Sequence, residues 1–292
     1  MTFKGLLRIS ILALIWGSGF LLIKIALRGF SPVQLTFSRL GLGALVLLVF
    51  VAVTRLRLPT DGRTWLHLIV AALLANAIPY TLFGVAELHV DSNLAGAINA
   101  TTPLWTVLFA LATGTESRLT ARRWLGMLLG FAGAIVILAP WNTSEVSFAH
   151  ALACLAASAS YGASYVYMAR YLIGKSLSPL VLSASQLIAA SGLLVLATPF
   201  GGLESPIWRL DAVLGLLALG AVGTGIAYVL NYRIISDDGP VLASTVTYLI
   251  PLVAVAVGAL FLQEDITPTL MLGVVVVLSG VALTRDQRRA PL

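Results

Sequence analysis

A chain of 292 residues that is 59% hydrophobic and 10% charged is not an ordinary soluble domain, in which about a quarter of the residues carry charge. The net charge of +6 gathers at the ends of apolar runs, where it sets membrane topology, and this excludes a nucleic-acid surface. Long unbroken apolar runs exclude a β-barrel, which needs short alternating strands, and one cysteine, Cys154, excludes an internal disulfide or a CxxC metal site.

Mean hydropathy is +0.98. Ten apolar runs, each about long enough to cross a bilayer, predict spans over 6–27, 33–53, 65–86, 92–112, 122–139, 148–169, 180–199, 211–232, 239–261 and 268–284. The fold class expected is therefore an all-α integral membrane protein. The basic start Lys4 to Arg8 leads into the first run with no small-residue cleavage site after it, so that run reads as a retained span rather than a removed signal.

Charge orients the spans. With a cytoplasmic N-terminus, fourteen of the eighteen basic residues lie on the cytoplasmic side and only Arg28 and Arg209 on the other; Lys24 and Arg39 fall within spans. That bias places both termini in the cytoplasm.

The fourth run is broken by Pro103, and its echo, the ninth, by Pro251. Glu116 and Glu264 close the two runs, and Tyr80 and Tyr228 precede them, all at an offset of 148 residues. Ser31-Pro32 opens the second span and Ser178-Pro179 the seventh. Gly126, Gly130 and Gly133 answer to Gly273 and Gly280. An odd number of spans per unit predicts an inverted five-plus-five repeat, residues 1–142 and 143–292, within one membrane domain. Proline-interrupted segments at matching places in two halves point to a midplane substrate site, with Pro103 and Pro251 as candidate hinges.

The order and spacing of these segments resemble the EamA-type branch of the drug/metabolite transporter superfamily. The resemblance rests on Ala13-Leu14-Ile15-Trp16-Gly17, Ala100-Thr101-Thr102-Pro103-Leu104, Thr115-Glu116, Leu249-Ile250-Pro251-Leu252 and Glu264, and it spans essentially the whole chain. Within that branch the chain resembles the aromatic amino-acid exporters of the YddG type. The resemblance implies export of small metabolites without ATP, and the chain has no G-x-x-x-x-G-K-[ST] loop. It also implies a multi-pass protein of the bacterial inner membrane.

Trp and Tyr ordinarily sit at the membrane interfaces, so those within spans are informative. Trp16, Tyr80, Phe83, Trp105, Tyr161, Tyr165, Tyr228 and Tyr248 are candidate substrate contacts, since aromatic walls stack on flat rings and hold cations. Asn76, Asn99 and Thr102 are candidate polar contacts, and Gln186 and Asn231 read as interhelical hydrogen bonds. Each aromatic also has the plainer reading of core packing. Lys24 and Arg39 are expected to snorkel or to form a structural pair. Glu87 is expected at the outer rim, which leaves no deep carboxylate and favours a facilitative carrier. His67, His89 and His150 read as interface residues without metal-ligand spacing.

The expectation is thus a transporter exporting aromatic or other hydrophobic amino acids by alternating access, with the lipid bilayer and a small solute as its partners. No cofactor, metal or obligatory protein partner is expected. The alternatives are a multidrug or other metabolite exporter, possibly coupled to protons; a membrane enzyme, for which no Ser/His/Asp, HExxH or paired-carboxylate set is present; and a channel, which one chain carrying its own inverted pair disfavours.

Overall fold

The computed structural model describes residues 3–115, 120–138, 145–172, 177–238 and 246–284. All regular structure among them is helical: α1 (Phe3–Ala26), α2 (Pro32–Val53), α3 (Gly62–Ala72), α4 (Ile78–Ala86), α5 (Ser92–Asn99), α6 (Thr102–Ala112), α7 (Ala121–Leu138), α8 (Glu145–Tyr171), α9 (Pro179–Ala197), α10 (Leu210–Ala218), α11 (Ala227–Asp238), α12 (Val246–Leu262) and α13 (Pro268–Thr284), with a short 3-10 turn over Thr198–Phe200. Among the described residues, six segments are long and apolar enough to cross a membrane: Leu7–Ala26, Pro32–Val53, Gly62–Ala86, Ser92–Ala112, Pro179–Phe200 and Leu210–Ile234. Shorter apolar helices cover Trp124–Ile137, Leu249–Leu262 and Pro268–Gly280. The junction between the expected repeats, the Glu116 that closes the fourth run and the C-terminal tail lie outside the described residues.

The Ser-Pro pairs act as helix starts. Ser31 caps α2 through its hydroxyl, which accepts from the Gln34 N–H, while the Gln34 side chain accepts from the Ser31 N–H. Pro32 then stands at the first helical position, where its missing donor is no loss. Ser178 accepts from the Val181 N–H in the same way, with Pro179 following.

The two spans expected as plain helices over 65–86 and 211–232 are not plain. Each carries a π-helical turn, Leu73–Ala77 between α3 and α4 and Leu219–Ile226 between α10 and α11. Such turns widen the helix and free carbonyls. In the first, the Ser160 hydroxyl donates to the Leu74 carbonyl at 2.7 Å; in the second, the Thr224 hydroxyl donates to the Leu219 carbonyl at 3.0 Å. Both bonds provide the internal satisfaction that a bilayer demands.

The prolines behave differently from one another. The fourth span breaks into α5 and α6 at Ala100 and Thr101, and Pro103 stands in the first turn of α6. Pro251 lies buried inside the continuous α12.

The matched glycines meet each other rather than a ligand. A Cβ on Gly133 would meet the Val277 backbone, one on Gly273 the Ile137 backbone, and one on Gly280 the backbones of Gly130 and Gly126. They form a close seam between α7 and α13, the small-residue packing favoured where lipid removes any hydrophobic drive between helices. Exposed Trp124, Leu125, Leu128, Leu272 and Val275 cover the outside of the same two helices.

Candidate functional site

The polar and aromatic residues converge where α2, α9 and the two π turns meet. Arg39 is the centre. It lies about two turns into α2 and is 6% exposed. Its Nε donates to the Thr224 hydroxyl at 3.1 Å, and its guanidinium carbon sits 3.8 Å from the centroid of the Tyr80 ring. Of the two expectations for Arg39, snorkelling or a structural pair, snorkelling does not hold: α2 is buried on this face, and the side chain turns inward to a hydroxyl and a π face instead of outward to water.

A second limb runs alongside. The Asn76 amide donates to the Tyr228 hydroxyl at 2.5 Å and accepts at 2.7 Å from the Gln186 amide, whose own oxygen accepts from the Tyr232 hydroxyl at 3.0 Å. Asn76, Gln186 and Thr224 are fully buried, so each bond forms out of contact with water. Gln186 makes the interhelical bond expected of it. Asn76, expected to face substrate, has both ends of its amide occupied by protein.

The two limbs share a nearly common offset at three pairs of residues. Asn76 and Thr224 lie 148 apart, as do Tyr80 and Tyr228, and Arg39 and Gln186 lie 147 apart. Arg39 therefore meets Thr224 as Gln186 meets Asn76, each bond joining one half of the chain to the other. One limb carries a permanent cation, and the other carries a neutral amide at the same place.

Further aromatic rings pack on from Tyr80, the ring beneath Arg39. Tyr161 of α8 lies edge-on to Tyr80 at 6.4 Å and stacked with Phe83 at 6.2 Å, and Phe83 meets Phe20 edge-on at 5.3 Å. Tyr165 follows Tyr161 by one turn and shares its face of α8. Trp16 packs at the margin of the apolar cluster that contains Phe83.

The remaining expected contacts are elsewhere. Asn99 and Thr102 bond to each other at 3.3 Å across the break between α5 and α6. Trp105 points to α7 and α8, edge-on to Phe131 at 5.1 Å and tight against Gly162, with its indole N–H buried and without a hydrogen-bond partner among the described residues. Trp105, a candidate contact alongside Tyr80, lies between α7 and α8, whereas Tyr80 meets Arg39 of α2 and Tyr161 of α8. The Tyr248 side chain lies outside the described residues. Thr224, Tyr232 and Phe20 were not singled out from sequence. Thr224 had a usable signal, since it lies at the common offset of 148 residues from Asn76.

Polar contacts join helix ends beyond Phe83. The Lys24 ammonium donates to the carbonyls of Glu87 at 2.8 Å and Val90 at 2.6 Å, so it caps the end of α4 from α1. The Glu264 carboxylate accepts from the backbone N–H groups of Ser92 and Asn93 and from the Ser92 hydroxyl, holding the positive end of α5. Glu87, expected at the outer rim, does stand at the end of α4 but is enclosed there, 1% exposed.

A model of the EamA-like transporter family matches residues 3–139 and again 148–285. The chain belongs to the EamA-like transporter family. It is 29% identical over 271 residues to the uncharacterized inner membrane transporter YedA of Escherichia coli, covering 91% of this chain and 86% of that one. It is 26% identical over 285 residues to the uncharacterized transporter YvbV of Bacillus subtilis, covering 97% and 92%. A solved crystal structure shares the fold, with a TM-score of 0.67 at 20% identity over 96% of both chains. This EamA-family chain is thus a multi-pass membrane transporter, and the polar-aromatic centre around Arg39 is its candidate substrate site.

Proposed function

We propose that this chain exports small organic solutes bearing a carboxylate, above all aromatic or other hydrophobic amino acids, across a bacterial inner membrane. Two halves rocking about the Arg39 centre provide alternating access. The inner-membrane placement follows the description of the YedA relative.

The observation that carries the reading is Arg39. It is buried, it stacks on Tyr80, and it has no ion-pair partner among the described residues. A charge inside a membrane bundle marks a functional site, and burying one without a counter-charge is expensive. A substrate carboxylate supplies that counter-charge, in the fork geometry that arginine presents. The rings of Tyr80, Phe83 and Tyr161 then offer faces and edges to an aromatic side chain. The same buried cation disfavours a cationic drug as cargo, since like charges repel at the site.

The test is uptake of labelled phenylalanine, tryptophan and threonine into proteoliposomes by counterflow. Saturable exchange that prefers phenylalanine and tryptophan supports the reading. Exchange confined to solutes without a carboxylate overturns it.

A further inference from the structure

We infer that Glu87 is a proton-binding site, and that this transporter exchanges its exported solute for protons. The inference rests on the amino-acid reading for its cargo and on separate residues for the proton.

Glu87 follows the last residue of the Gly62–Ala86 span and caps α4. Both oxygens of its carboxyl are buried and without a hydrogen-bond partner among the described residues. Lys24 spends its ammonium on backbone carbonyls, including that of Glu87, rather than on the carboxyl. The ionisable groups around the carboxyl come from several elements. Lys24 lies on α1, Arg39 on α2, Glu264 just after α12 and Cys154 on α8. His89 stacks on His150 of α8 at 4.0 Å near the same end. The two nearby cations are held by other partners, and Glu264 adds a like charge. An ionised carboxylate desolvated in this way, without a donor, is not tolerated, so the group is buried as the neutral acid.

Position gives that proton a use. Tyr80, Phe83 and Glu87 recur along one face of α4 at spacings of three and four, so the carboxyl shares the face on which Tyr80 meets Arg39. It stands about 10 Å further along the helix, from seven residues at 1.5 Å each. Opening this end admits water to the carboxyl, which ionises; closing it requires that the charge be cancelled again. Two species can do so. A proton from the outer side forms the O–H bond and leaves the neutral acid. Alternatively, the ammonium group of an amino acid pairs with the carboxylate while Arg39 takes the other end of the zwitterion. The empty carrier therefore returns with a proton, and the loaded carrier travels with the carboxylate ionised. Each cycle sends one solute out and brings one proton in. A facilitative carrier was the expectation while Glu87 was placed at the rim; its burial removes that ground.

The experiment uses the full-length protein with Glu87→Gln, which has the shape of the neutral acid, and Glu87→Asp, which keeps the titrating group. Infrared difference spectra across a pH titration, in detergent and without any solute, are expected to contain the C=O stretch of a protonated carboxyl near neutral pH in the wild type. The band moves in Glu87→Asp and is lost in Glu87→Gln. In proteoliposomes, a proton gradient is expected to drive phenylalanine accumulation in the wild type. Glu87→Gln should lose at least tenfold of that accumulation and give a counterflow rate with a flat pH profile. A wild-type spectrum without the band, or a band that persists in a Glu87→Gln protein eluting as a monodisperse species, overturns the inference. So does undiminished gradient-driven accumulation by that variant. Failure of every amino acid in counterflow overturns the cargo reading alone, because the infrared result still decides the proton site.

Discussion

Arg39 is the residue on which the candidate site turns, and its environment separates recognition from packing. A charged hydrogen bond is worth about 1.5–3 kcal/mol, so Arg39→Gln should raise the KM for an amino-acid substrate roughly tenfold to a hundredfold while preserving the bond to Thr224. Transport assays on the purified variant check this; an unchanged KM would return Arg39 to a structural role. Gln186→Leu is the complementary case. It leaves the Asn76 carbonyl and the Tyr232 hydroxyl without the partners they now have, at a loss of about 1–3 kcal/mol, and thermal denaturation should reveal it with little change in KM. Trp105→Ala should likewise reduce stability more than substrate affinity, because Trp105 faces Phe131 and Gly162. At this scale the sequence was legible in part. Tyr80, Phe83 and Tyr161 were recognisable as aromatic groups out of place in mid-span. Arg39 was visible as an intramembrane cation, but hydropathy does not say whether a long side chain turns to the headgroups or to the bundle.

Among the elements, the two π turns were hidden from the hydrophobic pattern. A π turn changes one helical register without changing composition, so the apolar runs over 65–86 and 211–232 read as ordinary spans. The turns bring Asn76 and Thr224 inward and open space for Arg39 and Gln186 from α2 and α9. The Pro103 break was readable, because proline cannot continue the preceding turn. Pro251 carried the same sign and yielded a continuous helix. Pro103→Ala removes the restraint that keeps α5 and α6 apart, and transport should slow if the break flexes during the cycle; an unaltered turnover rate would discard the hinge. The α7–α13 seam is more exacting. Gly280→Leu drives a side chain into the Gly130 and Gly126 backbones, and a fall in melting temperature with loss of monodisperse protein is expected.

For the molecule as a whole, composition alone determined that the chain is helical and lives in a bilayer, since 59% hydrophobic residues in runs of span length have no other stable solution in water or lipid. Periodicity also determined the repeat expectation, through the Ser-Pro starts, the proline runs and the glycines at a common offset. The spacing of Arg39 and Gln186, and of Asn76 and Thr224, was present in the same numbers, but an offset names equivalent positions and not partners. Only the tertiary structure decided that each of these residues bonds to the other half of the chain, because that depends on which helix faces which across the bundle. It decided too that Glu87 is enclosed while Glu264 is held by the start of α5. Both are acidic residues at span ends. What separates them is the number of backbone donors brought within reach by packing, and that is a property of the assembled helices and not of the chain.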